Sequence, residues 1–218
     1  HAVVRRRGIE ASGLGVDGQL RHSGGPARCD RLRVGRGPVV RRLGGEAVIV
    51  EGADRVLPRE AAPLGEALSE ALRRDGIELM LGMHATAARR DGDEYLLQFD
   101  GAAVLRGDRL LVATGRRPRV EGIGLETVGV EADPHGILVD EYMRAGENLW
   151  AIGDVTGIWP LTHVGEYEGD VVAANIAGDE RPANYDAVPR VTYTDPQAAA
   201  VGALQADYIA TAPVSEVP

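Results

Sequence analysis

Ala47-Val48-Ile49-Val50, then Leu64-Gly65-Glu66-Ala67-Leu68-Ser69-Glu70-Ala71-Leu72, then Ile77-Glu78-Leu79-Met80-Leu81 form the stretch that decides the fold. The first segment is continuous, apolar and largely β-branched, the pattern of a parallel strand covered on both faces. Glu51 closes it. In the second, Leu64, Ala67, Leu68, Ala71 and Leu72 recur at i, i+3 and i+4 and mark one face of a helix. Asp75-Gly76 is its stop signal. The third segment is a second strand. Strand, helix and strand at this spacing predict a βαβ unit.

Downstream, the pattern shortens. Met83–Ala88, Tyr95–Phe99 and Ala102–Leu105 alternate with Asp91-Gly92-Asp93 and Asp100-Gly101, which predicts an antiparallel meander with tight turns. Arg109-Leu110-Leu111-Val112-Ala113 reads as a return to a buried strand and ends in Thr114-Gly115-Arg116-Arg117-Pro118. Residues 119–148 are loop-rich, with one strand at Ile137–Val139. Leu149-Trp150-Ala151-Ile152 is another expected buried strand, stopping at Gly153-Asp154. Leu161 to Ala177 reads as a helix halted by Gly178, and Arg190-Val191-Thr192-Tyr193-Thr194 opens a last strand.

Upstream, residues 1–38 are rich in Arg and Gly and lack periodicity. Gly13, Gly15 and Gly18 match a G-x-G-x-x-G pattern, but no buried strand precedes it and no helix follows. The strand–turn–helix that aims backbone N–H groups at a pyrophosphate is therefore not expected there. Residues 1–35 are left unassigned, with a composition compatible with disorder. The Arg5-Arg6-Arg7 cluster lacks the aromatic or helical pattern of a nucleic-acid surface and reads as a solvated tail.

Composition narrows the classes. At roughly 150 residues per domain, 218 residues give one domain plus pieces. With 44% apolar and 26% charged residues, the chain is not disordered as a whole. No apolar run approaches the length of about 20 residues that a membrane helix needs. The single cysteine, Cys29, excludes an internal disulfide, a CxxC redox pair and a thiolate zinc site. His1, His22, His84, His135 and His163 show no paired ligand spacing, so no metal is expected. Every basic residue is Arg, and the net charge is −9. The chain starts His1-Ala2-Val3-Val4 without Met or signal peptide and ends Ser215-Glu216-Val217-Pro218, and is expected to be a fragment of a cytoplasmic protein.

Six landmarks stand in order: Val-Ile-Val-Glu-Gly (48–52), Val-Leu-Pro-Arg-Glu (56–60), Leu-Val-Ala-Thr-Gly-Arg-Arg-Pro (111–118), Leu-Trp-Ala-Ile-Gly-Asp (149–154), Leu-Thr-His (161–163) and Val-Thr-Tyr-Thr-Asp-Pro (191–196). Over about residues 39–205 the chain resembles the pyridine nucleotide–disulfide oxidoreductase family, which includes dihydrolipoamide dehydrogenase and mercuric reductase. The resemblance implies an α/β fold: a Rossmann-like parallel sheet with an antiparallel β-meander crossover, plus a partial second segment of an FAD domain. It implies an NAD(P)-binding domain at 36–121, the second FAD-domain segment at 122–188, and the start of a truncated dimerisation domain at 189–218. The first FAD segment with its redox cysteines, and the C-terminal acid–base region, lie outside that correspondence. Where the family has a Gly-rich turn and a full helix, Gly35-Arg36-Gly37-Pro38 and Leu43-Gly44 enclose about one helical turn. Either that helix is shortened, or residues 1–38 are not the family's sequence.

The candidate site residues follow. Glu51, at a strand end, can accept the adenosine ribose hydroxyls and repel a 2′-phosphate, which favours NAD over NADP; Arg55 nearby acts the other way. Gly115 ends a strand where a side chain would obstruct a dinucleotide, and the resemblance places its counterpart against the nicotinamide cofactor. Ala85 matches a position whose backbone meets the nucleotide. Gly153-Asp154 puts a carboxylate at the end of a strand expected to belong to a parallel sheet; by resemblance this Asp bonds the ribityl chain of FAD. Pro160-Leu161-Thr162-His163 opens a helix whose N–H groups and dipole suit partial negative charge; by resemblance it faces the flavin, with His163 in a positioning or packing role. The implied reaction is hydride transfer from NAD(P)H to FAD. The implied partners are those two dinucleotides and a second copy of the chain, with no nucleic acid and no membrane. The alternative is a catalytically incomplete nucleotide-binding fragment lacking the redox disulfide.

Overall fold

The computed structural model describes residues 2–6, 36–130 and 132–204. The G-x-G-x-x-G match, Gly35, Cys29, His1 and His22 lie outside the described residues. The chain divides into two compact units. The described parts of the first are residues 2–6, 36–114 and 189–204, and those of the second fall within 115–188.

The first unit is built on β2 (Glu46–Val50), and the alternation along it explains the layers. Ala47 and Ile49 pack on one face with Leu68 and Leu72 of a helix, α2 (Ala62–Arg74), and with Ile77. Val48 and Val50 pack on the other with Leu97, Phe99 and Leu105. A strand whose two faces are both buried reads as an unbroken apolar run, because side chains alternate with period two. A shorter helix, α1 (Arg36–Arg42), sits so close to Ile49 that a Cβ on Gly37 would come within 2.9 Å of Ile49 Cδ1. The second core face belongs to the meander: β4 (Ala85–Asp91), β5 (Glu94–Phe99) and β6 (Val104–Gly107) form an antiparallel sheet in that order. Gly92 turns its first hairpin at φ +61°, a conformation that favours glycine.

The main sheet has four strands in the order β3-β2-β1-β7, where β1 is Ala2–Arg6, β3 is Glu78–Met80 and β7 is Arg109–Val112. β2 and β3 are parallel. β1 is antiparallel to both β2 and β7, so those two run in the same direction. A doubly wound dinucleotide fold uses the order 3-2-1-4 with all strands parallel. Ala2–Arg6 thus occupies the seat of the first strand but runs backwards. Ala2 pairs with Val50 and Val112, and Arg6 pairs with Glu46.

Two expectations are corrected here. Residues 2–6 are not an unassigned tail: Ala2-Val3-Val4 is short but has strand propensity, and a sheet with an open central seat takes it. Arg109–Val112 is a strand of the sheet but is not fully buried, since Leu111 and Val112 are 41% and 47% exposed. Its place at the end of the strand order accounts for this.

The hairpin β12 (Pro189–Thr192) and β13 (Ala198–Val201) belongs to the first unit. Ala198 joins the core around Ile49. Arg190, with its side chain 2% exposed, holds Glu60 through two 3.0 Å bonds and also donates to the Gly202 carbonyl.

The second unit has little regular sheet. β8 (Ala132–Asp133) pairs with β9 (Gly136–Ile137), and β10 (Arg144–Gly146) with β11 (Leu149–Trp150). Val130, Ile137 and Ala151 form one buried cluster, and Met143, Val164, Val171 and Val188 are buried as well. The 149–152 stretch is a correction: only Leu149–Trp150 is strand, its pairing is antiparallel, and Ile152 is 41% exposed. Among the described residues only β10 lies beside it, so its apolar side chains lack the neighbours that a central parallel strand would have. Helix α3 (Thr162–Ile176) follows, ended by Gly178 at φ +91°.

Candidate functional site

In the first unit the candidate residues gather beyond the carboxyl ends of β2 and β3. Glu51 is 8% exposed, and its Oε1 accepts the Ala53 N–H at 2.8 Å. Its backbone spans both strands: Glu51 N–H donates to Met80 O at 2.9 Å, and Met83 N–H donates to Glu51 O at 3.0 Å. That second bond brings the segment leading to Ala85 beside Glu51. The His84 ring lies over Gly52, where a Cβ would come within 2.7 Å of it. Ala85 begins β4 and packs on the Val48–Val50 face. Arg55 is turned back on its own loop, donating to Pro58 O at 3.0 Å. The carboxylate is thus the charged group nearest the strand end, and the guanidinium is engaged by carbonyls.

In the second unit the pieces converge on Gly153-Asp154. Gly153 has φ +76° and opens a 3-10 turn, Gly153–Thr156. Its N–H donates to Glu168 Oε2 at 2.6 Å. Asp154 is half-exposed, and its Oδ2 lies 2.6 Å from Arg116 Nη1. The same guanidinium donates through Nη2 to Pro160 O at 2.8 Å. Arg116 therefore ties the Asp154 carboxylate to the segment opening α3. Leu161 precedes the helix in extended backbone, and its carbonyl accepts the N–H groups of Val164 and Gly165, both at 3.1 Å. Thr162 and His163 are the first two helical residues, and both are exposed. Gly115 is exposed with φ +134°, a backbone geometry that a side chain resists.

Gly153, Asp154 and Pro160–His163 thus fall in one cluster, and Glu51 with Ala85 in another. Three residues of the second cluster escaped the sequence reading. Arg116 sat in a quoted motif without a role. Glu168 carried a signal: a charge between Gly165 and Gly169, on the helix face that backs onto Gly153 and Ile152. Tyr185, whose hydroxyl donates to Glu168 Oε1 at 2.9 Å, carried none. Burial raises the Glu168 carboxyl above its ordinary range against the lowering effect of its two hydrogen bonds, and the Asp154 charge adds to the rise. Burial also raises the Tyr185 hydroxyl, reinforced by its bond to Glu168.

The residues can be tested against the two cofactors. For a flavin, the second unit offers an exposed carboxylate on a fixed turn, a guanidinium, and the start of a 15-residue helix, a set that suits hydroxyls and partial negative charge. For a nicotinamide dinucleotide, Glu51 suits the adenosine ribose. The pyrophosphate end is where this fold departs from the doubly wound pattern, because β1 runs away from the carboxyl edge instead of toward it.

The sequence profile of the pyridine nucleotide-disulphide oxidoreductase family matches residues 37–169, and the chain belongs to that family. It is 38% identical over 173 residues to a dihydrolipoyl dehydrogenase of Corynebacterium glutamicum, covering 75% of this chain and 37% of that protein. It is 37% identical over 168 residues to a mercuric reductase of Streptomyces lividans, covering 74% and 35%. Among solved structures it resembles LpdA of Mycobacterium tuberculosis with a TM-score of 0.75 at 28% identity, covering 81% of this chain and 39% of that one. The chain spans less than two fifths of the length of these relatives. Among the described residues, no helix is long and apolar enough to cross a membrane.

Proposed function

We propose that this chain is part of an FAD- and NAD(P)H-dependent oxidoreductase, contributing the nicotinamide-side sheet and the flavin-side turn. When bound, the two cofactors supply hydride transfer from the reduced nicotinamide to the flavin. The observation that carries this reading is the Gly153-Asp154 turn, tied by Arg116 to the opening of α3 inside the family match. Asp154 holds ribityl hydroxyls as an acceptor, and Arg116 keeps that carboxylate aimed and partly neutralised. The first turn of α3, Thr162-His163 included, presents its positive dipole end to negative charge. Glu51 accepts the adenosine ribose hydroxyls and disfavours a 2′-phosphate, so NADH is preferred to NADPH. Ala85 and Gly115 leave room for dinucleotide backbone contact.

A second reading, nucleotide binding without turnover, is favoured by the reversed central strand, which withholds the usual pyrophosphate turn from the carboxyl edge. Titration of the chain with FAD, followed by quenching of flavin fluorescence, tests the flavin side. Saturable uptake that Asp154→Ala weakens supports the proposal, and uptake indifferent to that change removes Asp154 from it. Self-association belongs to the same proposal: Tyr193 and Val201, 74% and 66% exposed, put apolar surface on the β12–β13 hairpin. Light scattering across a concentration series checks it, and a monomer at all concentrations counts against it.

A further inference from the structure

Glu168 has no accessible surface, yet it is a carboxylate on the second turn of α3. A buried carboxylate is costly unless hydrogen-bonded, and this one is bonded from two sides. Gly153 N–H reaches Oε2 at 2.6 Å, and the Tyr185 hydroxyl reaches Oε1 at 2.9 Å. The same hydroxyl lies 3.2 Å from Met143 Sδ, and the Tyr185 ring meets Tyr167 edge-on at 6.2 Å. The helix packs against the turn: a Cβ on Gly165 would lie 3.5 Å from Gly153 Cα, and one on Gly169 would lie 3.8 Å from Ile152 Cδ1, both ordinary contact distances. The space a Cβ on Gly153 would take is open, with nothing within 4 Å, so packing on that side does not set its φ of +76°. The Glu168 bond fixes the Ile152–Gly153 peptide, one residue ahead of Asp154.

We infer that Glu168, steadied by Tyr185, is the positioning residue of the Gly153-Asp154 turn, and that it sets flavin affinity through the direction it gives the Asp154 carboxylate. The turn's own geometry carries the first half; the second half rests on the flavin reading above. An acceptor at this place is what matters, so glutamine serves where leucine does not. The amide keeps an oxygen for Gly153 N–H and can donate to the Tyr185 oxygen. Leucine has similar bulk and removes the bond; its relief of the burial cost offsets the unpaired Gly153 N–H, so stability changes little. A merely structural role would lower stability and affinity together.

The experiment uses the whole chain and its Glu168→Leu, Glu168→Gln, Tyr185→Phe and Asp154→Ala variants. Amide hydrogen exchange at Gly153 is read by NMR, FAD affinity by fluorescence, and stability by thermal unfolding. Glu168→Leu is expected to speed Gly153 exchange and weaken FAD binding by about tenfold each, with an unfolding temperature close to the parent's. Glu168→Gln is expected to restore both. Tyr185→Phe changes both in the same direction but by less, and serves if the leucine variant does not fold. Gly153 exchange unchanged in Glu168→Leu and Tyr185→Phe overturns the positioning role. FAD affinity lowered by Asp154→Ala but untouched by Glu168→Leu overturns the link to the ligand alone. FAD affinity indifferent to Asp154→Ala, or no FAD uptake at all, overturns the flavin reading and the ligand half with it, while the exchange arm still decides the positioning half.

Discussion

The two units bury charge in opposite ways. In the first, Arg190 and Glu60 meet as a bidentate ion pair, so each charge is answered by its opposite. In the second, the buried Glu168 carboxyl is met by neutral donors, a backbone N–H and a phenol. The first arrangement joins the loop after β2 to the β12 strand. The second holds one peptide of a turn. The first unit rests on a two-faced apolar strand with a core on each side. The second, whose described strands pair only in short two-stranded ribbons, adds side-chain-to-backbone bonds to its apolar contacts. Asp133 accepts the N–H groups of His135 and Gly136, Asp140 those of Tyr142 and Arg144, and Asn175 bonds both the N–H and the carbonyl of Arg181. A unit built on apolar layers tolerates polar surface changes. A unit that adds such bonds loses local geometry when one of them is removed.

The sharpest way to break the contrast is Arg190→Ala. It leaves the Glu60 carboxylate buried without its partner guanidinium and is expected to destabilise the chain by about 3–5 kcal/mol in chemical denaturation. A loss under about 1 kcal/mol, the range of an exposed ion pair, would mean that the pair is solvated and the contrast is empty.

Next in size is Asp154→Ala, expected to weaken FAD binding by about 1–3 kcal/mol, the range for a charged hydrogen bond. Its effect on thermal stability should be small, because both members of the Arg116–Asp154 pair are about half exposed. A large stability loss with unchanged affinity would recast the pair as a structural staple.

Glu51→Ala is expected to narrow a preference for NADH over NADPH by about tenfold, since the change removes a like charge from the 2′-phosphate. Competitive titration of both nucleotides measures it. A parent chain that prefers NADPH would show that Arg55 leaves its loop carbonyls on binding.

The smallest effect is the pH dependence carried by Glu168. Its carboxyl is raised in the folded chain, chiefly by burial. Folding then binds more protons than unfolding between the unfolded and folded values. The stabilising contribution is fully present below the unfolded carboxyl range and is lost as pH rises through the folded value. Glu168→Gln removes this slope, so its stability relative to the parent should rise from acid to neutral pH. A parallel pair of stability curves would show that Glu168 is solvated in solution.

Much of the first unit was legible. The run 47–50, the helix face through Leu68 and Leu72, and the Asp91-Gly92-Asp93 turn gave element types that the structure keeps, with ends shifted by a few residues. The strand at 2–6 was not legible. Three apolar residues before an Arg run look like a tail until a sheet offers them a seat. In the second unit Gly153-Asp154 and the helix start were legible as a turn and a helix opening. The strand before them read as a buried member of a parallel sheet, and the structure pairs it antiparallel on one edge. Periodicity reports burial but carries no information about the direction of a neighbour.

The sequence by itself determined the family, the βαβ unit, the meander and the place of Asp154, because these rest on local spacing and on motifs contiguous in the chain. Only the tertiary structure decided that Ala2–Arg6 runs against its neighbours, that Arg116 joins Asp154 to Pro160, and that Glu168 and Tyr185 stand behind Gly153. Those partners lie 15 to 44 residues apart in the chain. A hydrogen bond over such a separation exists only once the backbone has brought both groups together, and residue spacing records no trace of it.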